Sequence, residues 1–415
     1  MIQVSMSSSQ QVIEQAAVQF QLASVWWRKG KLERAIAGYR EVLRLQPTHL
    51  QATVYLDDAL KQQNREALHY QKVSQAYLGS NLSENPNGKI SLVHQKVFSS
   101  HRCGWSYAIR GLQPLHNSSG ILFDGFLENS FFWKHYQPNQ IKAPYTQPWV
   151  GFLHNPPAMP NWFYSQHSPQ ALFAKAEWQQ SLKHCLGLFC LSNYHADWVR
   201  QYTNKPVSVL IHPTEIPERL FDFDRFVENS QKKIVQLGWW LRKLTAIYQL
   251  PIHRQNALGY EKIKLNPAFA SNAKAQLEKL EEIERKVSGI SSDCHFVTNT
   301  REVNHLPDKA YDQLLSENIG FIALHDTSVN NAVIECIART TPLLVNPLPA
   351  VIEYLGKDYP MYFQTLTEAA QKAQDLELIK ATHEYLKTCE TRKKLSAEHF
   401  CQSFQASEVY QKIVL

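Results

Sequence analysis

The chain has little that would place it in a redox, metal-binding or membrane class. Its seven cysteines are scattered over 415 residues, with no Cys-x-x-Cys pair and no metal-ligand spacing. That excludes a disulfide framework and a zinc site as organising features, and an odd, dispersed set reads as reduced thiols in a cytoplasmic protein. No apolar run approaches the roughly 20 residues that cross a bilayer. The opening residues, MIQVSMSSSQQ, have no basic stretch and no apolar core, so no signal peptide is expected. No Asp-x-Asp cluster stands near an expected strand end, so no metal ligand and no cofactor is expected. The formal charge of +6 is small for this length. It permits an anionic ligand, or peripheral contact with an acidic membrane surface at the inner face, without calling for nucleic acid.

What is present suits a globular protein of two or three domains: 44% apolar and 19% charged residues, with 10 Trp and 18 Tyr. The most organised stretch runs from Gly320 to Gly356. Ile319 to Leu324 is a short apolar run bounded by polar residues, as in a buried parallel strand. The polar loop HDTSVNN follows, then a helical segment with Ala332, Val333, Ile334, Cys336 and Ile337 on its apolar face. A second run, Pro342 to Val345, leads into the turn NPLPA. Strand, loop, helix and strand make one βαβ unit, whose chemistry collects where a strand's carboxyl end meets the next helix. The amino end of that helix suits a phosphate, because its first N–H groups are unpaired and the dipole is positive there. Thr327, Ser328, Asn330 and Asn331 surround that end, and Glu335, about one turn further on, can accept hydrogen bonds from ribose hydroxyls. The same residues also read as an ordinary helix cap with a solvated glutamate, and spacing alone leaves both open.

Residues 12–85 read as helices. Over 16–49, Leu22, Ala23, Trp26, Ala35, Tyr39 and Pro47 fall at tetratricopeptide positions, with Gln19 where that repeat has its first Trp. A second, degenerate unit from Leu50 keeps a stripe of Leu56, Leu60, Ala67 and Leu68. The alternative is a generic helical hairpin; the repeat reading implies a protein partner. SENPNG, 83–88, is the linker. Strands are expected over 90–97, at 121–126 ending on Asp124, at Val150 to Leu153, at 186–191 before the capping Ser192, and over 207–217. Gly104 can admit a ligand close to the backbone. His154, at a strand's carboxyl end, is followed by the stiff Pro156-Pro157 and by Trp162, a face on which a sugar can stack; a structural histidine is the alternative. Residues 232–251 read as strand, turn and helix, carrying Gly238, Arg242 and Lys243. A cover helix is expected over 271–287, a strand at 294–297, a short helix at 311–315, and helices after Tyr362.

The stretch 320–356 resembles the donor half of GT-B glycosyltransferases, the retaining branch in particular. Glu335-Cys336-Ile337-Ala338 stands where that family has Glu-Ala-Met-Ala, Thr340-Thr341-Pro342-Leu343 stands at Gly-x-Pro-Val, and Glu353 stands at a late Glu. Thr327, eight residues before Glu335, occupies the position of a family glutamate that approaches the donor sugar. In the 232–251 segment, Gly238 matches the family glycine and Trp239 replaces its Arg. Arg242 and Lys243 are the cations nearest the diphosphate position.

The resemblance implies an α/β protein of two doubly wound Rossmann-like domains preceded by a small all-α module. The expected divisions are 1–85 (helical module), 86–220 (acceptor side), 221–385 (donor side) and 386–415 (helices returning to the first domain). It implies a metal-independent hexosyltransferase that carries sugar from a nucleotide-sugar donor to a glycan or lipid-linked acceptor. His154, Arg242 and Lys243 would serve catalysis. Gly238, Thr327, Ser328, Asn330, Asn331, Glu335 and Glu353 would hold the donor, and Gly104, Asp124 and Trp162 the acceptor. The rivals are a non-catalytic GT-B protein acting through its helical module, which Thr327 favours, and a glycosyltransferase acting on protein.

Overall fold

The computed structural model describes residues 8–28, 32–49, 51–56, 59–60, 82–95, 104–132, 143–253, 258–265, 272–290, 300–303 and 306–414. They divide into two compact units, one of residues 1–80 with 268–279 and one of 81–267 with 280–415.

In the first unit, helices Ser8–Arg28 and Leu32–Leu45 form a hairpin. Small residues set the crossing: Ala16, Ala23, Ala35 and Ala52 are fully buried with Tyr39 and Val42, flanked by Phe20, Trp26 and Trp27. Pro47 follows the second helix, where its missing N–H and fixed φ halt helical geometry. Helical residues resume at 51–56 and 59–60. Ala67 and Leu68, expected in a second repeat, lie outside the described residues.

The second unit is α/β, with two parallel five-stranded sheets and hence two Rossmann-like halves. The first sheet contains β1 (Ile90–Ser91), β2 (Ile121–Asp124), β3 (Trp149–Phe152), β4 (Cys185–Cys190) and β5 (Val207–Val209), in chain order across the sheet. β1 is shorter than the expected strand over 90–97. The Leu92 N–H goes to Nδ1 of His116 rather than to a strand, and Gln95 N–H turns back to the Leu92 carbonyl; residues 96–97 lie outside the described set. The second sheet contains β6 (Lys233–Gln236), β7 (Glu261–Leu265), β8 (Thr300–Val303), β9 (Ile319–Ile322) and β10 (Leu343–Val345), ordered β10-β9-β6-β7-β8. Among the described strands the winding reverses only here: the chain runs outward through β6, β7 and β8, then returns to the other side of β6. The register is pinned at Val235 opposite Gly320 and Gly320 opposite Leu343. The strand expected at 294–297 lies outside the described residues.

The first sheet is covered on both faces, as its largely apolar strands require. On one face of the first sheet, Leu122, Trp149, Leu188 and Cys190 pack with Leu127, Phe131, Leu172, Trp178 and Val199. On the other, Phe152 and Phe189 stack at 4.7 Å, and Phe404 of the C-terminal helix Ala397–Ala406 lies 4.6 Å from Phe189. The final helix, Glu408–Gln411, comes so close that a Cβ on Gly187 would sit 2.6 Å from a Val409 methyl. Lys89 Nζ also donates to the Ile413 carbonyl, 2.9 Å away. The chain's end is therefore built into the first half.

Candidate functional site at the second sheet's switch point

The reversal between β6 and β9 sends the loops after both strands out side by side at the sheet's carboxyl edge. Such a switch point is where open α/β sheets gather ligands. The β9 loop ends on Asn330, whose backbone is extended (φ −127°, ψ 116°) and whose Oδ1 accepts the N–H groups of Ala332 and Val333, capping helix Asn331–Arg339. Asparagine is among the best residues for this position because its short side chain reaches the second and third helical amides. The Thr327 hydroxyl donates to the Val329 carbonyl at 2.7 Å, and the Ser328 hydroxyl to the carbonyl of His154 in the other half.

The β6 loop carries two left-handed residues, Gly238 (φ +71°) and Leu241 (φ +56°). The glycine suits its place, since a Cβ there would lie 2.7 Å from Nη2 of Arg242. Arg242 is buried, and its guanidinium laces the loop together: Nε donates to the Leu237 carbonyl at 3.1 Å, Nη1 to the Trp240 carbonyl at 2.6 Å, and Nη2 to Asn330 Oδ1 at 3.0 Å. One cation thus joins the two switch-point loops. Lys243 is exposed, while its backbone N–H pairs with the Ala323 carbonyl at 2.7 Å. Both cations precede helix Ala246–Gln249, so neither belongs to a solvated helix face.

Glu335 is 5% exposed and faces inward, where its Oε2 accepts the Tyr311 hydroxyl. Glu353 is turned elsewhere. Its carboxylate caps helix Asn193–Arg200 of the first half, accepting Asn193 N–H at 2.6 Å, Tyr194 N–H at 2.7 Å and Asn193 Nδ2 at 3.1 Å.

In the first half, the backbone N–H of His154 donates to Glu128 Oε1 at 2.8 Å, and its ring Nε2 lies 2.8 Å from the Gly125 carbonyl. A carbonyl only accepts, so Nε2 carries the proton. Burial pulls the ring's pKa down to about 3, with nearby His212 adding to the effect, so the imidazole is neutral and Nδ1 is its lone pair. Trp105 meets the ring edge-on at 4.8 Å, and Phe126 lies at 4.4 Å. Asp124 accepts the Tyr145 hydroxyl at 2.6 Å and the Phe126 N–H at 3.0 Å. Gly104 precedes helix Trp105–Gly111 with ordinary extended backbone (φ −71°, ψ 163°), a conformation open to any residue. Trp162 is half-buried and sits edge-on to His325 of the second half at 5.3 Å.

The structure therefore brings Gly238, Arg242, Lys243, Thr327, Ser328, Asn330 and Asn331 to one place. His154 and Trp162 approach it from the other half. Glu335 lies one turn behind, and Gly104, Asp124 and Glu353 are engaged in other contacts. The halves touch directly at this edge. Asp326 Oδ2 accepts the Ala158 N–H at 2.7 Å and the Tyr194 hydroxyl at 3.3 Å, and the Tyr354 hydroxyl donates to the Leu191 carbonyl at 2.8 Å. The rings of Phe163 and Trp240 meet across the junction at 5.3 Å, and Tyr164 stacks on Trp240 at 5.5 Å.

Sequence reasoning passed over Asp326, although an acid two residues beyond the buried run at 319–324 was a usable signal. It also passed over Glu128 and His195. Glu128 is fully buried, with Oε2 lacking a partner among the described residues, and burial raises its pKa to about 7. Both ring nitrogens of buried His195 likewise lack one, and burial lowers its pKa to about 3. No sequence pattern distinguishes these two from surface residues.

No metal-ligand cluster occurs among the described residues. The chain does contain Asp222-Phe223-Asp224, but there Asp222 caps helix Phe223–Glu228 by accepting Arg225 N–H. No described helix is long and apolar enough to cross a membrane.

No protein-family model and no curated protein matches the chain. Solved structures similar to it include a trehalose-6-phosphate synthase, OtsA, at 14% identity over 74% of this chain and 76% of that one, with a TM-score of 0.48. Anabaena HepE in complex with UDP and glucose is 10% identical over 62% of this chain and 71% of that one, at a TM-score of 0.46. A mutant of S. aureus TarM, in complex with fondaparinux, alpha-GlcNAc-glycerol and UDP, is 10% identical over 64% of this chain and 51% of that one, at a TM-score of 0.44.

Proposed function

We propose that this chain is a nucleotide-sugar-dependent glycosyltransferase of the GT-B kind. The observation that carries the reading is the convergence at the switch point. Two loops leave neighbouring strands where the winding reverses, and the Arg242–Asn330 hydrogen bond of 3.0 Å joins them at the amino end of a nine-residue helix. A helix end with exposed Lys243 beside it suits a diphosphate, and Glu335 behind it suits a ribose. The donor would lie on this half, and the acceptor toward His154 and Trp162 on the other. Transfer breaks the bond from the sugar's anomeric carbon to the diphosphate oxygen and forms one to the acceptor oxygen, whose proton leaves with the diphosphate. Lys243 and the helix end would stabilise that leaving group without a metal. The neutral His154 ring would orient a sugar hydroxyl rather than act as a base. The helical hairpin would serve as a tetratricopeptide-like docking element for a protein partner.

Single-turnover reactions with radiolabelled UDP-, GDP- and ADP-sugars, with and without lipid-linked and free glycan acceptors, test this. Release of free or transferred sugar supports it; no release from any donor refutes catalysis. A second reading, a GT-B protein that binds but does not transfer, is favoured by one specific feature. Thr327 bears no carboxylate, and Asp326 and Ser328 beside it bond directly to the opposite half. Nucleotide binding without turnover would select it.

A further inference from the structure

We infer that Tyr311 is a positioning residue for Glu335, holding the carboxylate that would receive the ribose; this rests on the function proposed above. Glu335 lies on helix Asn331–Arg339 and Tyr311 on helix Asp308–Ser316. The tyrosine hydroxyl donates to Glu335 Oε2. Arg339, one turn along from Glu335 and wholly buried, places its guanidinium over the Tyr311 ring, 5.3 Å from the centroid. That guanidinium is itself fixed: Nη2 and Nε donate to Asp312 Oδ1 at 2.6 and 3.1 Å, and Nη1 to the Glu335 carbonyl at 3.2 Å. The tyrosine is thus sandwiched between a cation below its ring and a carboxylate at its hydroxyl.

The arrangement has a physical purpose. A carboxylate that is 5% exposed is costly unless hydrogen-bonded, and a charge-assisted O–H donor is among the stronger partners available. Burial and the Glu335 charge raise the Tyr311 pKa well above its ordinary value, so the phenol remains a donor. With one carboxylate oxygen held, the orientation of the other is set before a ribose arrives. That removes an ordering cost from binding. An isolated helix glutamate with free rotamers would lack this advantage.

The test separates orientation from bulk stability. Tyr311→Phe keeps the ring over Arg339 and removes only the hydroxyl. By calorimetry, the variant should bind UDP roughly tenfold to a hundredfold more weakly than wild type, the range expected for one charge-assisted hydrogen bond. It should bind 2′,3′-dideoxy-UDP as wild type does, because that ligand offers Glu335 no hydroxyl. Glu335→Gln and the double variant complete a cycle in which the two losses overlap rather than add. If the variant loses equally on both ligands, or the losses add, Tyr311 is structural and the inference falls. Circular dichroism and melting of Tyr311→Phe identify a folding defect, in which case the dideoxy comparison on Glu335→Gln decides whether any ribose contact exists to be positioned. Should wild type bind neither UDP, GDP nor ADP, the proposed function fails first and takes this inference with it.

Discussion

Replacing Glu128 by glutamine removes a buried titratable group while keeping its shape. The residue sits in the first turn of helix Leu127–Phe132, fully buried, and its Oε1 receives the N–H groups of His154 and Asn155 at 2.8 and 2.7 Å. Burial raises its pKa from 4.5 to about 7; the two amides pull it back down, and the charge on Asp124 pushes it further up. A carboxyl raised in the folded state binds its proton more tightly there than in the unfolded chain. Its contribution to stability is therefore fully present below about pH 4.5 and is lost as pH rises through about 7. At 1.36 kcal/mol per pH unit the loss is about 3 kcal/mol. His154, His195 and His212 act oppositely, with pKa values lowered by burial to about 3, 3 and 4. Their contribution is present above about pH 6.5 and lost as pH falls. Because both proteins share those histidines, the difference between wild type and Glu128→Gln isolates the carboxyl. Equilibrium urea unfolding, followed by tryptophan fluorescence at intervals between about pH 4.5 and pH 8, should show the variant gaining about 3 kcal/mol relative to wild type as pH rises. Infrared spectra should show a protonated carboxyl band near neutral pH in wild type only. Parallel stability curves with no such band would mean that Glu128 is ionised throughout and solvated, and the reasoning would be wrong.

Arg242→Gln should lower the melting temperature, because it strips buried donors from two carbonyls and from Asn330, at roughly 1–3 kcal/mol. Lys243→Gln should leave melting unchanged and weaken UDP more than uridine in calorimetry; equal losses would place the diphosphate elsewhere. His154→Ala should cost about 2 kcal/mol or more of stability by vacating the space between Trp105 and Phe126 and the bond to Gly125. On the proposed function it also lowers turnover with donor affinity nearly intact, and an unchanged melting curve would remove the packing claim. Phe404→Ala should cost roughly 3–5 kcal/mol in chemical denaturation, since the ring is fully buried against Phe189 and Phe152. A loss near zero would mean the C-terminal helix is dispensable to the first half.

Local chemistry made one side of the second sheet, β9 and β10 with the helix between them, readable from the chain alone. The apolar run at 319–324, the capping Asn330, the amphipathic segment after it and the run at 342–345 each act within a few residues, and they became strand Ile319–Ile322, helix Asn331–Arg339 and strand Leu343–Val345. The same holds for Ser192, which caps helix Asn193–Arg200 after β4. Where function was concerned, the chain supplied the loops but not the partners of their side chains. Arg242 reads as a free cation beside a glycine, and only folding showed its guanidinium lacing Leu237, Trp240 and Asn330 together. Glu353 matched a donor-site position, yet it caps a helix 160 residues away, a contact that no spacing encodes. Glu128 looks like any helix glutamate until the β3 loop closes over it and raises its pKa. Strand order was equally a tertiary matter, because local periodicity marks a strand without saying which neighbour it joins. Caps, turns and apolar stripes are short-range and sequence carries them, whereas burial and long-range hydrogen bonding depend on which surfaces meet, and here those meetings decide which candidate residues face the switch point and which hold the two halves together.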